Sequence, residues 1–111
     1  MKLFSVAALF AAVVSTVNAL IVNTPTNVVQ CQPLLITWDP QGSAGPFFLS
    51  IHPGDNPSGP ALFSWDGLTG TSFTWIVTVS AGQSLGLLLR DNTGATSRSA
   101  AFTVFAGFSS C

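Results

Sequence analysis

The chain has 111 residues, of which 48% are hydrophobic and only 6% charged, with a formal net charge of −1 at pH 7. Its basic residues, Lys2, Arg90 and Arg98, cannot build the clustered cationic field that nucleic acid or an anionic membrane surface demands. The single histidine and two cysteines, without carboxylates at ligand spacing, exclude a tetrahedral zinc site, and no cofactor is expected.

Met1-Lys2 is a short positive start, Leu3 to Val17 is apolar, and Val17-Asn18-Ala19 ends on a small residue. This pattern predicts a secretory signal peptide over residues 1–19, cleaved after Ala19 and too short to favour a membrane span. The folded domain is then 20–111. Its charges are Arg90 and Arg98 against Asp39, Asp55, Asp66 and Asp91. In an oxidising compartment Cys31 and Cys111 are expected to form a disulfide, although the residues alone also allow Cys111 to stay free or to pair between chains. Asn56-Pro57-Ser58 is no glycosylation sequon, because proline occupies its middle position.

Leu20-Ile21-Val22 opens a short strand, and Val28-Val29 leads into Cys31. Leu34 to Trp38 reads as a strand with Leu34, Ile36 and Trp38 on one face and Leu35 and Thr37 on the other. Asp39 to Pro46 is rich in turn residues. Phe47 to His52 alternates again, with Phe47, Leu49 and Ile51 opposed to Phe48, Ser50 and His52. Pro53 to Pro60 is a loop, and Ala61 to Trp65 is a short edge strand ending in an Asp66-Gly67 turn.

The stretch Ser72–Arg90 has the strongest pattern. Phe73, Trp75, Val77 and Val79 alternate with Thr74, Ile76 and Thr78; Leu85, Leu87 and Leu89 alternate with Gly86, Leu88 and Arg90. Two such runs joined by Ser80-Ala81-Gly82-Gln83 predict a β-hairpin. Asp91-Asn92-Thr93-Gly94 predicts a tight turn, and Ser99 to Phe105 a last strand. About seven short strands without helical periodicity predict an all-β, immunoglobulin-like antiparallel β-sandwich.

Several residues invite a catalytic reading. Gly82-Gln83-Ser84-Leu85-Gly86 matches the G-x-S-x-G pattern of serine hydrolases, but that motif works only on a strand-to-helix turn above a large α/β sheet. His52 reads as a surface histidine at a strand end. Asp39, Asp66 and Asp91 each begin a turn, where a carboxylate caps backbone N–H groups, so a glycosidase pair is not expected either. No catalytic residue is assigned. Trp38 and Trp75 fall on apolar faces and read as core. Phe48, Phe63 and Trp65 are the candidate ligand-contact patch.

Val22-Asn23-Thr24-Pro25 and Val29-Gln30-Cys31-Gln32-Pro33-Leu34-Leu35-Ile36-Thr37-Trp38 resemble the start of a group of small secreted fungal proteins. The likeness continues through Pro46–Ser50, Gly70–Trp75, Leu87–Asp91 and Ser99–Val104. The group is the Ser/Thr-rich, glycosylphosphatidylinositol-anchored family related to the yeast proteins of β-1,6-glucan cell-wall synthesis. The resemblance implies an immunoglobulin-like sandwich, an extracellular or cell-wall location and a non-catalytic role in wall assembly. Many members continue into a Ser/Thr-rich stalk and a hydrophobic anchor signal, for which Phe105-Ala106-Gly107-Phe108 is too short. The chain is thus expected to be either freely secreted or a part of a longer, anchored protein, and in both cases to be extracellular, non-enzymatic and in contact with wall polysaccharide such as glucan. The alternative is a small effector that binds a protein partner.

Overall fold

The computed structural model describes residues 19–108. The predicted leader, apart from Ala19, and Cys111 lie outside the described residues. Among the described residues eight strands run in chain order: β1 (Ile21–Val22), β2 (Pro33–Asp39), β3 (Phe47–Pro53), β4 (Phe63–Leu68), β5 (Ser72–Ile76), β6 (Ser84–Arg90), β7 (Thr96–Arg98) and β8 (Phe102–Thr103). They form two sheets, one ordered β1-β2-β5 and the other β4-β3-β6-β7, with β8 also on β6. All of these strand pairs are antiparallel. The protein is an all-β sandwich of immunoglobulin-like build.

Period-two alternation places the core. On β2, Leu34, Ile36 and Trp38 are buried while Leu35 is open to solvent. Across the sandwich Phe47, Leu49 and Ile51 of β3 meet Leu85, Leu87 and Leu89 of β6 in one apolar cluster, and Trp75 and Val77 complete it. Trp38 and Trp75 are both core residues, 3% and 6% exposed. The Trp38 ring meets Phe47 edge-on at 5.6 Å, and its indole N–H has no hydrogen-bond partner among the described residues.

The predicted hairpin does not form. β5 pairs with β2, with Leu34 opposite Trp75, whereas β6 pairs with β3. The connection between them crosses from one sheet to the other. Its backbone bonds go elsewhere: Val77 N–H to the Gln32 carbonyl at 3.1 Å and Gly82 N–H to the Val104 carbonyl at 2.7 Å. Both runs point their apolar rows inward because both sheets enclose the same core. Alternation records which face a residue takes, and that face is the same whichever neighbour the strand has.

Two further boundaries move. Asp66 and Gly67 lie inside β4 rather than in a turn; Gly67 takes φ +67° there, a conformation open to glycine without strain. The last predicted strand is replaced by β7 and β8, both paired with β6. Between them the Ser99 hydroxyl accepts the Leu87 N–H at 3.0 Å, occupying a ladder position of β6. The Asp91–Gly94 turn joins β6 to β7 as expected, with Gly94 at φ +95°.

Candidate functional site

The β3–β4 register decides which aromatic rings meet. Leu49 faces Trp65 and Ile51 faces Phe63, and residues directly opposite in an antiparallel pair share a face. Phe63 and Trp65 therefore point between the sheets. Their rings stack with centroids 6.2 Å apart and an interplanar angle of 9°. Trp65 packs on Phe73 at 4.8 Å, and Phe63 on Trp75 at 5.5 Å. Both are half-buried; they close the side of the core between β4 and β5. Phe48 lies on the other, outward face of β3. The structure thus divides the predicted patch, keeping Phe63 with Trp65 and setting Phe48 apart.

Phe48 belongs instead to a row that the sheet assembles from four strands. Its Cα partner is Arg90, Ser50 pairs with Leu88 and with Ser64, and Arg90 pairs with Thr96. The Arg90 guanidinium lies over the Phe48 ring, 4.8 Å from its centroid, in reach of a cation–π attraction. Phe48, Ser50, Ser64, Asp66, Arg90 and Thr96 line a shallow groove of about 210 Å3 on this outer face. A flat ring and guanidinium beside hydroxyls and a carboxylate suit a ligand with one apolar C–H face and several hydroxyls.

His52 bounds this row, and it is not the surface residue expected from sequence. It is 8% exposed, because the 53–60 loop folds over it. One ring nitrogen, Nδ1, lies 3.0 Å from the Gly59 carbonyl oxygen, and Nε2 lies 2.8 Å from the Ser50 hydroxyl. A carbonyl only accepts, so Nδ1 donates to Gly59, while Nε2 and the Ser50 hydroxyl share the second bond. Arg98 holds the same loop by donating to the Pro57 carbonyl at 2.8 Å. His52 is thus a clasp between β3 and the loop.

A larger cleft of about 500 Å3 opens at one end of the sandwich, lined by Pro53, Asp55, Leu62, Gly82, Gln83 and Ser84. No aromatic ring is among its described lining residues. Ser84 starts β6 and gives its carbonyl to Gly54 N–H at 2.8 Å. It sits on a strand rather than a strand-to-helix turn, and both nitrogens of the only histidine are engaged elsewhere. The G-x-S-x-G match has no hydrolase geometry.

The remaining carboxylates divide. Asp39 caps its turn by accepting the Gln41 N–H at 3.0 Å. Asp91, 3% exposed, accepts on Oδ1 from the Thr93 hydroxyl at 2.7 Å and from the Thr93 and Ala95 N–H groups at 2.8 and 3.0 Å. The Thr93 hydroxyl holds its carboxyl below the usual carboxylate range. Burial opposes this, while the Thr93 N–H, the Ser43 hydroxyl and the Ala95 N–H add to the lowering. Asp66, expected in a turn, stands in the groove. Cys31 takes φ +68° and sits with its Sγ 3.2 Å from the Phe108 carbonyl oxygen. Among the described residues no three His, Cys, Asp or Glu side chains gather to hold a metal.

No protein-family model matches the chain, and no curated protein matches it. Solved structures share its general shape at low identity. One is an Fn3-like protein from Clostridium thermocellum, 17% identical, covering 84% of this chain and 97% of its own, with a TM-score of 0.48. The fibronectin(III)-like modules of Clostridium thermocellum CbhA are 13% identical over 80% of this chain and 99% of theirs, with a TM-score of 0.44. The sulfur carrier protein SoxY from Chlorobium limicola f thiosulfatophilum is 15% identical over 94% of this chain and 96% of its own, with a TM-score of 0.48.

Proposed function

We propose that the protein is a secreted, non-catalytic β-sandwich of the fungal cell wall that contacts wall polysaccharide through the outer face of the β4-β3-β6-β7 sheet. The observation that carries this reading is the groove in which the Arg90 guanidinium lies over Phe48 beside Ser50, Ser64, Asp66 and Thr96. A pyranose ring offers axial C–H groups to such a flat surface and hydroxyls to the polar side chains around it. The leader pattern and the resemblance described above supply the compartment.

The test is cosedimentation of the purified protein with insoluble β-glucan, chitin and whole fungal wall, with circular dichroism as the check on folding. Wild type is expected in the pellet. Phe48→Ala and Arg90→Ala are each expected to bind about tenfold more weakly, the loss of roughly 1.4 kcal/mol of stacking contact. No retention on any polymer overturns the proposal and shifts the search to a protein partner. The same reading includes a Cys31–Cys111 disulfide, supported by the nearness of Phe108 to Cys31. Peptide mapping without reduction would show the linked pair, and two unlinked cysteines would refute it.

A further inference from the structure

Sheet edges expose unpaired backbone groups, and stable proteins protect them with short strands, charges, prolines or bulges. Three of the edges here are protected in this way. β1 has two residues, and its Val22 N–H is taken by the Ser97 hydroxyl at 3.0 Å. β4 carries Asp66 and the positive-φ Gly67. The far side of β6 is covered by the short, interrupted pair β7 and β8, with Arg98 on β7. β5 is different. It is five residues of Ser-Phe-Thr-Trp-Ile, with no charge, glycine or proline, and its strand neighbour among the described residues is β2.

The direction of its backbone groups follows from the bonds at its two ends. Thr71 gives its carbonyl to Trp38 N–H at 3.0 Å, and Val77 exchanges bonds with Cys31 and Gln32. Residues 71, 73, 75 and 77 therefore turn toward β2. By the period of two, the N–H and C=O groups of Ser72, Thr74 and Ile76 turn away from it. The side chains of these three residues are exposed on the outer face, whereas Phe73 and Trp75 are packed under Trp65 and Phe63.

We infer that β5 pairs antiparallel with β5 of a second copy of this chain, around a two-fold axis at Thr74. Such an axis sets Thr74 against Thr74 of the partner subunit and Ser72 against Ile76 of the partner subunit. Each of these opposed pairs exchanges both backbone bonds, and the two three-stranded sheets become one. The strand is self-complementary in charge because it has none, and the outer face beside it is also uncharged: Pro33, Leu35 and Thr37 of β2 lie opposite Ile76, Thr74 and Ser72. With a formal net charge of −1 per chain, long-range repulsion between copies is small. This inference is independent of the polysaccharide groove, which lies on the opposite sheet.

Sedimentation velocity of the purified protein from micromolar to near-millimolar concentration tests it. Wild type is expected to show a concentration-dependent monomer–dimer equilibrium. Thr74→Lys and Thr74→Glu change an exposed side chain that would face its own copy. Like charges directly opposite are unfavourable, so each variant alone is expected to dimerise about tenfold more weakly or not at all. Mixing the two at equal amounts restores the dimer, an outcome that loss of folding in either variant could not produce. Thr74→Pro removes only an outward N–H and is expected to stay folded and monomeric. A wild type that remains monomeric throughout overturns the inference. So does a dimer that survives Thr74→Lys and Thr74→Pro, or a mixture that fails to recover.

Discussion

The two outer faces of the sandwich are built by the same alternation and differ in what they display. The face of the β4-β3-β6-β7 sheet carries both arginines of the described chain, one aspartate, the only histidine and a loop clasped across it. The face of the β1-β2-β5 sheet shows Ile21, Leu35 and Ile76 at 42%, 59% and 48% exposure, and its charge is confined to Asp39 at one end of β2. In a chain so poor in charge, their collection on one sheet separates the two surfaces. Charged and hydroxyl groups around a ring can recognise a polar ligand. A face with one charge, at the far end of β2, and a bare edge is suited to meeting another strand.

Substitutions that separate inward, clasped and open positions would sharpen this contrast. The largest effect is expected inside, where Leu87 is 1% exposed. Leu87→Ala should cost about 2–5 kcal/mol by denaturant unfolding, whereas Leu35→Thr on the open face should stay within about 0.5 kcal/mol. If Leu35→Thr were equally damaging, that face would not be open. His52→Ala comes next. It strands the Ser50 hydroxyl and the Gly59 carbonyl, and a loss of about 1–3 kcal/mol is expected for a buried polar contact left unmade. A neutral result would show that the loop is not held by the ring.

The smallest effect is confined to acid. Asp91 has a lowered pKa in the folded protein, so the unfolded chain takes up its proton more readily. The stability this contributes is complete above the ordinary carboxylate value of 3.8 and is lost as pH falls below it, through the folded pKa. Asp91→Asn should therefore flatten the stability profile below that value. An unchanged acid limb would assign the effect to another group.

The faces of β2, β3, β5 and β6 were legible in the sequence because burial obeys a period of two, and Leu34, Ile36, Trp38, Leu85, Leu87 and Leu89 are all inside as expected. Pairing was not legible. Nothing local distinguishes a strand returning beside its predecessor from one crossing the sandwich, so the Ser72–Arg90 run read as a hairpin. The same gap obscured the site. Phe48, Ser50 and His52 could be placed together by spacing, and so could Leu88 and Arg90. That Phe48 meets Arg90, and that Phe63 and Trp65 turn to the core, depends on registers that one sequence does not print. The burial of His52 depends on where an irregular loop lands.

Near the end of the described chain, Phe105 forms a parallel bridge with Val29. Its N–H bonds to the Val28 carbonyl at 2.7 Å, and its carbonyl accepts the Gln30 N–H at 3.0 Å. Because these segments run in the same direction, tension applied between the β1 side and the Phe108 side of a reduced chain, in which no Cys31–Cys111 link carries the load, would slide them lengthwise past each other. Both bonds would then bear the load together instead of opening one after the other. In that reduced chain the bridge would resist by shear, and single-molecule extension would read its strength as a peak force rather than a free energy.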